Sequence, residues 1–249
     1  ALHWDELAVT ATLGADGVLH VDERQTMVFT GEWNGGERIF NIRPRQRLDF
    51  IGVDRIDANG TARPLTQTGG TPSRVDEYVI SDARTIRWRS RLPSDPAFSK
   101  TRLLYVLHYT LSGILLQDGD QYTLDHDFAF PDRDGPIGRF SLDPAPDPAW
   151  QPVSEVRRRY TAGPLAPGRS FVLKIPLRFT GTGAPAVLDT QRPPEVVGAV
   201  SAIVGVFVLG VLAFFVREQA LGRFAPIATT GIDAAWLQQQ ILVHPPEVV

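Results

Sequence analysis

Glu6-Leu7-Ala8-Val9-Thr10-Ala11-Thr12-Leu13, the turn Ala15-Asp16-Gly17, and Val18 to Phe29 with Leu19 and Val21 on one face decide how this chain is read. Apolar residues at 7, 9, 11 and 13 recur with the period of a half-buried strand, and an Asp-Gly pair reverses the chain before the alternation resumes. The stretch therefore reads as a β-hairpin. Outward from it, strand-like runs cover Leu48 to Ile56, Glu77 to Ile80, Thr85 to Trp88, Arg102 to Leu111, Tyr122 to Phe130 and Ser170 to Phe179. Turn signals stand between them at Asn59-Gly60, Gly69-Gly70, Asp118-Gly119, Asp134-Gly135 and Pro167-Gly168. Before residue 190 there is no sustained helical period with caps. Residues 1–180 are thus expected to be mainly β, an antiparallel immunoglobulin-like β-sandwich. It is one large sandwich or two in tandem, with a candidate boundary near 143–150 at the proline run Asp143 to Pro148.

A different signal follows. Val196 to Val216 contains no charged residue and one hydroxyl, Ser201. At ~1.5 Å per residue it spans roughly 30 Å, the thickness of a bilayer's hydrocarbon core, and so reads as a transmembrane helix. Gly198, Gly205 and Gly210 give it small surfaces on which a neighbouring membrane helix can pack. Residues 181–195, rich in Pro and Gly, read as a stalk, and 217–249 as a short tail. Arg217 and Arg223 follow the helix, which by the positive-inside rule places the tail in the cytoplasm and residues 1–180 in the periplasm. Trp236 joins these arginines as a membrane-interface residue. The chain starts at Ala1 without an initiator Met, as expected after signal-peptide removal. The localisation implied is the bacterial cytoplasmic (inner) membrane, single-pass.

Composition narrows the chemistry. A net charge of −3 offers no basic footprint for a nucleic acid. With no cysteine, disulfides, thiolate nucleophiles and zinc-thiolate sites are excluded. His3, His20, His108, His126 and His244 lack metal-ligand spacing, and His108 and His126 read as ordinary strand residues. Asp125, Asp127, Asp132 and Asp134 lack the alternation and closing glutamate of a calcium loop and read as a solvated acidic run. Asp5 with Glu6, and Asp22 with Glu23, read as charges at strand edges. No P-loop, dinucleotide fingerprint, zinc-protease helix or nucleophile elbow is present; Leu111-Ser112-Gly113 lacks the leading glycine of the last. No catalytic, cofactor-binding or metal residue is therefore assigned, and no cofactor is expected.

One segment is more specified than a generic strand: Thr30-Gly-Glu-Trp33-Asn34-Gly-Gly-Glu-Arg38-Ile-Phe40. Its glycines permit an unusual path, Trp33 packs or binds, and Arg38 offers a rigid hydrogen-bonding fork. The plain reading is a long hairpin loop pinned by Trp33. The sharper reading is a partner-contact surface of Trp33, Asn34, Arg38 and Phe40.

These residues carry a resemblance. Asp16-Gly17-Val-Leu19-His-Val21-Asp-Glu23, Phe29-Thr-Gly31, and Asn34-Gly35-Gly-Glu-Arg38-Ile39 occur in that order, followed by Tyr105-Val-Leu-His-Tyr109, Asp120-Gln-Tyr122-Thr-Leu124 and Leu165-Ala-Pro167-Gly168. The succession resembles the exported N-terminal region and first membrane helix of the bacterial predicted membrane protein family called domain of unknown function 2207. The resemblance implies a secreted β-sandwich before a membrane anchor, with no catalytic residues to carry over. Members generally continue into further membrane segments.

The functional expectation is a non-catalytic accessory or structural subunit whose periplasmic sandwich docks on a larger membrane protein complex, a bioenergetic or photosynthetic one suiting the description. Its partners are other membrane protein subunits and the lipid bilayer, with no nucleic acid. The alternative is a cell-envelope binding module for a glycan, peptide or lipid that uses the 31–40 loop. An uncharacterised hydrolase ranks third.

Overall fold

The expected hairpin is formed by β1 (Leu2–Leu13) and β2 (Leu19–Gly31), with Ala11 opposite Val21 and Leu13 opposite Leu19. The computed structural model describes residues 1–188 and 194–222. The remaining elements are β3 (Gly35–Ile39), β4 (Arg47–Ile56), β5 (Ala62–Pro64), β6 (Thr66–Gln67), β7 (Glu77–Asp82), β8 (Thr85–Arg89), β9 (Phe98–Ser112), β10 (Leu115–Asp118), β11 (Gln121–Asp127), β12 (Ile137–Pro146), β13 (Trp150–Pro152), β14 (Tyr160–Ala162), β15 (Val172–Phe179) and α1 (Pro194–Ala220). The β-region, residues 1–189, and the segment carrying α1 form separate compact units.

Three sheets make up the β-region. A seven-stranded sheet runs β14-β12-β1-β2-β9-β4-β5, and two four-stranded sheets run β10-β11-β15-β13 and β3-β8-β7-β6. Period-two alternation on β1, β2 and β9 buries one face of the large sheet, including Leu7, Val9, Leu19, Met27, Leu107 and Leu111. Fully burying each of these side chains stabilises the fold by roughly 1.5–3 kcal/mol. Both smaller sheets contribute to the same core: Phe40 packs on Tyr109 and Trp88 on Tyr105 from one, while Leu124, Trp150 and Ile175 join from the other.

The mainly β expectation holds, and the strand order does not establish the immunoglobulin-like detail. β1 and β12 pair in parallel, as do β6 and β7, and the second layer is split into two sheets. A parallel pair requires a crossover connection, and here β10 and β11 are built between β9 and β12 along the chain. The proline run at Asp143 to Pro146 belongs to β12 and leads directly into β13 of another sheet. β14 pairs only with Phe140, Ser141 and Leu142, so Pro144 and Pro146 lie where no further strand needs their missing N–H. The first part of the expected stalk is also tied to the β-region, since Ala186 N–H donates to Asp16 C=O (2.7 Å) and Leu188 N–H to Leu115 C=O (2.7 Å).

Among the described residues α1 is the one helix long and apolar enough to cross a membrane, over Ser201–Ala220. From Ser201 on, its apolar side chains stand exposed, with Val206 and Phe207 each at 71 %. Gly205 and Gly210 lie on α1 with nothing within 4 Å of where a Cβ would stand. Gly198 falls within α1, but its surroundings lie outside the described side chains. Arg217 occupies the last turn of α1, whereas Arg223 and Trp236 lie outside the described residues.

Candidate functional site

The Gly35-Gly36 pair sits in strand β3 and not in a loop. Strand propensity misses it because glycine is a poor strand former, but the packing requires it. A Cβ on Gly36 would lie 2.2 Å from the Trp88 indole, and one on Gly35 would lie 1.8 Å from the Trp88 carbonyl. The glycines let the indole of Trp88 lie flat across the neighbouring strand.

Even-numbered residues of this strand face the core. Arg38 and Phe40 are each 3 % exposed, so neither offers the solvent-facing contact surface that the sequence suggests. Arg38 instead reaches Glu23, which is 0 % exposed and stands at the centre of the large sheet, not at a strand edge. Arg38 Nε donates to Glu23 Oε1 (3.0 Å) and Nη2 to Oε2 (3.1 Å), while Tyr109 Oη donates to Oε2 (3.0 Å). Gln25 Nε2 donates to Glu23 Oε1 (2.6 Å), and Trp4 Nε1 to Gln25 Oε1 (2.8 Å). The guanidinium lies between the rings of Phe40 (4.4 Å) and Phe130 (4.1 Å). Burial is the largest influence on Arg38 and opposes its charge, yet Glu23 and Tyr109 outweigh it and hold the arginine pKa above its ordinary value. Burial and then the Glu23 carboxylate push the Tyr109 hydroxyl well above its own. The pair is a satisfied internal charge that fixes β3 against β2 and β9.

Odd-numbered residues face outward. Ser90 N–H donates to Asn34 C=O (2.7 Å) and Phe40 N–H to Arg84 C=O (2.8 Å), which fixes the parity of the β3–β8 ladder between them. Gly36 and Arg38 therefore exchange hydrogen bonds with β8, while the N–H and C=O groups of Gly35, Glu37 and Ile39 point away. No strand lies on that side, because β3 is the end strand of its sheet.

Beside this edge opens a pocket of about 300 Å³, at the small end of the range for ligand sites. Gly35, Glu37 and Ile39 line it, as do Trp33, Trp88, Leu2 and Phe130; Arg38 does not. Its far wall is the loop at 130–134. Phe130 adopts a φ of 26°, rare outside glycine, and its ring meets Trp4 edge-on (5.6 Å) as well as Arg38. Arg133, 6 % exposed, anchors the loop: Nη1 donates to the carbonyls of Ala129, Phe130 and Arg169 (2.7, 3.1 and 3.0 Å), and Nη2 to those of Leu165 (2.9 Å) and Ala166. Its Nε–H has no hydrogen-bond partner. Burial lowers its pKa, with Asp127 opposing.

Of the sequence candidates, the fold brings Trp33 and Asn34 to this pocket and takes Arg38 and Phe40 beneath it. Trp33 is half-buried, and its carbonyl accepts from Arg91 Nε (3.0 Å); Asn34 Oδ1 accepts from Arg91 Nη2 (3.2 Å). Sequence reasoning missed Trp4, Trp88, Phe130 and Arg133; Trp4 and Trp88, two of the five tryptophans in the chain, carried a signal as large aromatics, whereas nothing local marks Phe130 or Arg133. The acidic run disperses, with Asp125 paired to Arg43 (3.0 Å), Asp127 accepting from the Ala129 and Phe171 amides, and Asp132 accepting from Asn41. Among the described residues no group of three or more acidic or histidine side chains is placed to hold a metal.

Partial likenesses exist among solved structures, and this chain spans less than half the length of each. An M1 zinc metallopeptidase from Deinococcus radiodurans is 10% identical with a TM-score of 0.39, over 71% of this chain and 42% of that one. A putative protease from Parabacteroides distasonis is 13% identical with a TM-score of 0.31, over 77% and 37%. An aminopeptidase N family protein from Idiomarina loihiensis is 14% identical with a TM-score of 0.30, over 69% and 29%. No curated protein matches the sequence. The family model described as Predicted membrane protein (DUF2207) N-terminal domain matches residues 5–143.

Proposed function

This chain belongs to the DUF2207 family of predicted membrane proteins, and from that premise we propose that it is a non-catalytic binding subunit. In this reading α1 is the anchor, residues 1–189 stand on the extracytoplasmic side of the inner membrane, and the β-region docks on another subunit of a membrane complex. The observation that carries the proposal is the aromatic pocket beside β3, walled by Trp33, Trp88 and Phe130 and braced from below by the Glu23–Arg38 pair. Apolar and aromatic walls with a few polar groups at the rim suit the capture of a partner side chain. Tethering raises the effective concentration of such a site at any partner in the same membrane.

The test is extraction of native membranes in mild detergent, with native-size separation and mass spectrometry of the wild-type chain and Trp33→Ala. A defined set of membrane subunits should travel with the wild type and be lost from Trp33→Ala. A chain that migrates alone, or a variant that keeps the whole set, overturns the reading.

A further inference from the structure

Resting on that reading of the pocket, we propose that its occupant is an extended polypeptide segment that adds as a further strand to the free edge of β3, with one apolar side chain in the pocket.

Several of the other edges are finished so that no further strand can add. β5, β13 and β14 are three residues long, the first two end in Pro64 and Pro152, and β6 has two residues. The edge of β10 is covered by the returning chain, since Leu115 bridges Val187 and its carbonyl accepts from Leu188. The open stretch of β12 carries Pro144 and Pro146. Such devices prevent edge-to-edge pairing. β3 has none of them: it is five residues long, lacks proline, and has no strand beyond it.

That edge selects its ligand's chemistry. The outward N–H groups of Gly35, Glu37 and Ile39, with the carbonyls of Gly35 and Glu37, repeat at the two-residue period of a strand; the Ile39 carbonyl is already taken by Arg38. A row of alternating donors and acceptors at that spacing matches a polypeptide backbone and not a sugar ring or an acyl chain. The residues with these free groups are also the β3 residues that line the pocket, apart from Gly36, so a strand laid along the edge points alternate side chains at Trp33, Trp88 and Phe130.

The substitution that isolates the edge is Glu37→Pro. Glu37 N–H is not used by β8, so proline there removes an outward donor and leaves the internal ladder in place; Glu37→Ala removes only the side chain and its ion pair with Arg87. The full-length chain in detergent is panned against a phage-displayed library of random decapeptides, and a selected peptide is resynthesised with N-methyl groups on alternate amides, in each of the two registers. Glu37→Pro should bind it roughly ten-fold more weakly than Glu37→Ala, the scale of one or two lost hydrogen bonds. One N-methyl register should lose binding and the other keep it. An empty selection, or indifference to both methylation registers, overturns the proposal whatever Glu37→Pro does to folding. If subunit capture still depends on Trp33 in that event, the binding reading stands and strand addition falls; if capture ignores Trp33, the reading itself falls.

Discussion

The two four-stranded sheets lie on the same face of the seven-stranded sheet and are built on opposite plans. In β10-β11-β15-β13, Trp150 packs between Tyr122 (5.2 Å) and Phe179 (4.7 Å), donates its indole N–H to Gly14 C=O (2.8 Å), and the outer edge is closed by Val187 and Leu188. In β3-β8-β7-β6, Arg38 of the end strand pairs with the buried Glu23 of β2 beneath it, glycines replace side chains, and the outer edge is open. The sealed sheet is what stability by apolar packing looks like. The open one holds a strand in place by directional bonds from beneath, leaving its outer side free.

The largest expected effect falls on the open sheet. Arg38→Met leaves Glu23 charged, fully buried and short of its main partner, and should cost about 3–5 kcal/mol in urea unfolding followed by tryptophan fluorescence. Adding Glu23→Leu should recover much of that loss, because a matched apolar pair removes the stranded charge. No recovery in the double variant would mean that the pair does more than hold the strand. On the sealed sheet Trp150→Ala should cost about 3–4 kcal/mol through the cavity it leaves, with no second change able to restore it short of refilling the space. The cost of these two substitutions is similar; whether it can be rescued separates the two plans.

His126 links the sheets. It lies on β11 of the sealed sheet, half-buried and edge-on to Phe128 (4.8 Å). Burial, and then the charge of Arg38 on the open sheet, lowers its pKa from 6.5 to about 4. Above pH 6.5 the ring is neutral in both folded and unfolded chains. Between 6.5 and 4 the unfolded chain binds a proton that the folded chain does not, so stability declines as the pH falls through this window. The loss should reach about 2 kcal/mol, a figure reduced because the residue is only half-buried. It is read as the pH dependence of the wild-type unfolding midpoint minus that of His126→Phe, and equal slopes for the two would remove the link.

Legibility in the sequence follows the same division. Alternation on β1, β2, β4, β9 and β15 exposed the large sheet and much of the sealed one, because strands packed on one face must repeat every two residues. The apolar run of α1 was equally plain, since a bilayer demands length and low polarity. β3 was hidden by glycines whose reason is the indole of a residue 52 positions further on, Trp88 over Gly36. β12 was hidden by prolines that only an edge position permits. Glu23 read as a surface charge because its partner Arg38 lies 15 residues away and reaches it only after the sheets stack. The site candidates split for the same reason: parity along β3 sends Arg38 and Phe40 inward, and parity depends on a pairing the sequence does not display.

The smallest effect on stability is expected where the effect on binding is greatest. Trp33 packs only partly against the core, and its link to Arg91 runs through its main-chain carbonyl, which any residue retains. Trp33→Ala should therefore cost about 1 kcal/mol, well below Trp150→Ala, since it opens no enclosed cavity and strands no polar group. Parallel unfolding curves of the two variants check this directly. A Trp33→Ala cost equal to that of Trp150→Ala would show that the open sheet is held from its outer side as well as from beneath, and any loss of partners would then be a loss of fold. A small cost with lost partners leaves Trp33 free of structural duty, which is the condition a contact residue has to meet.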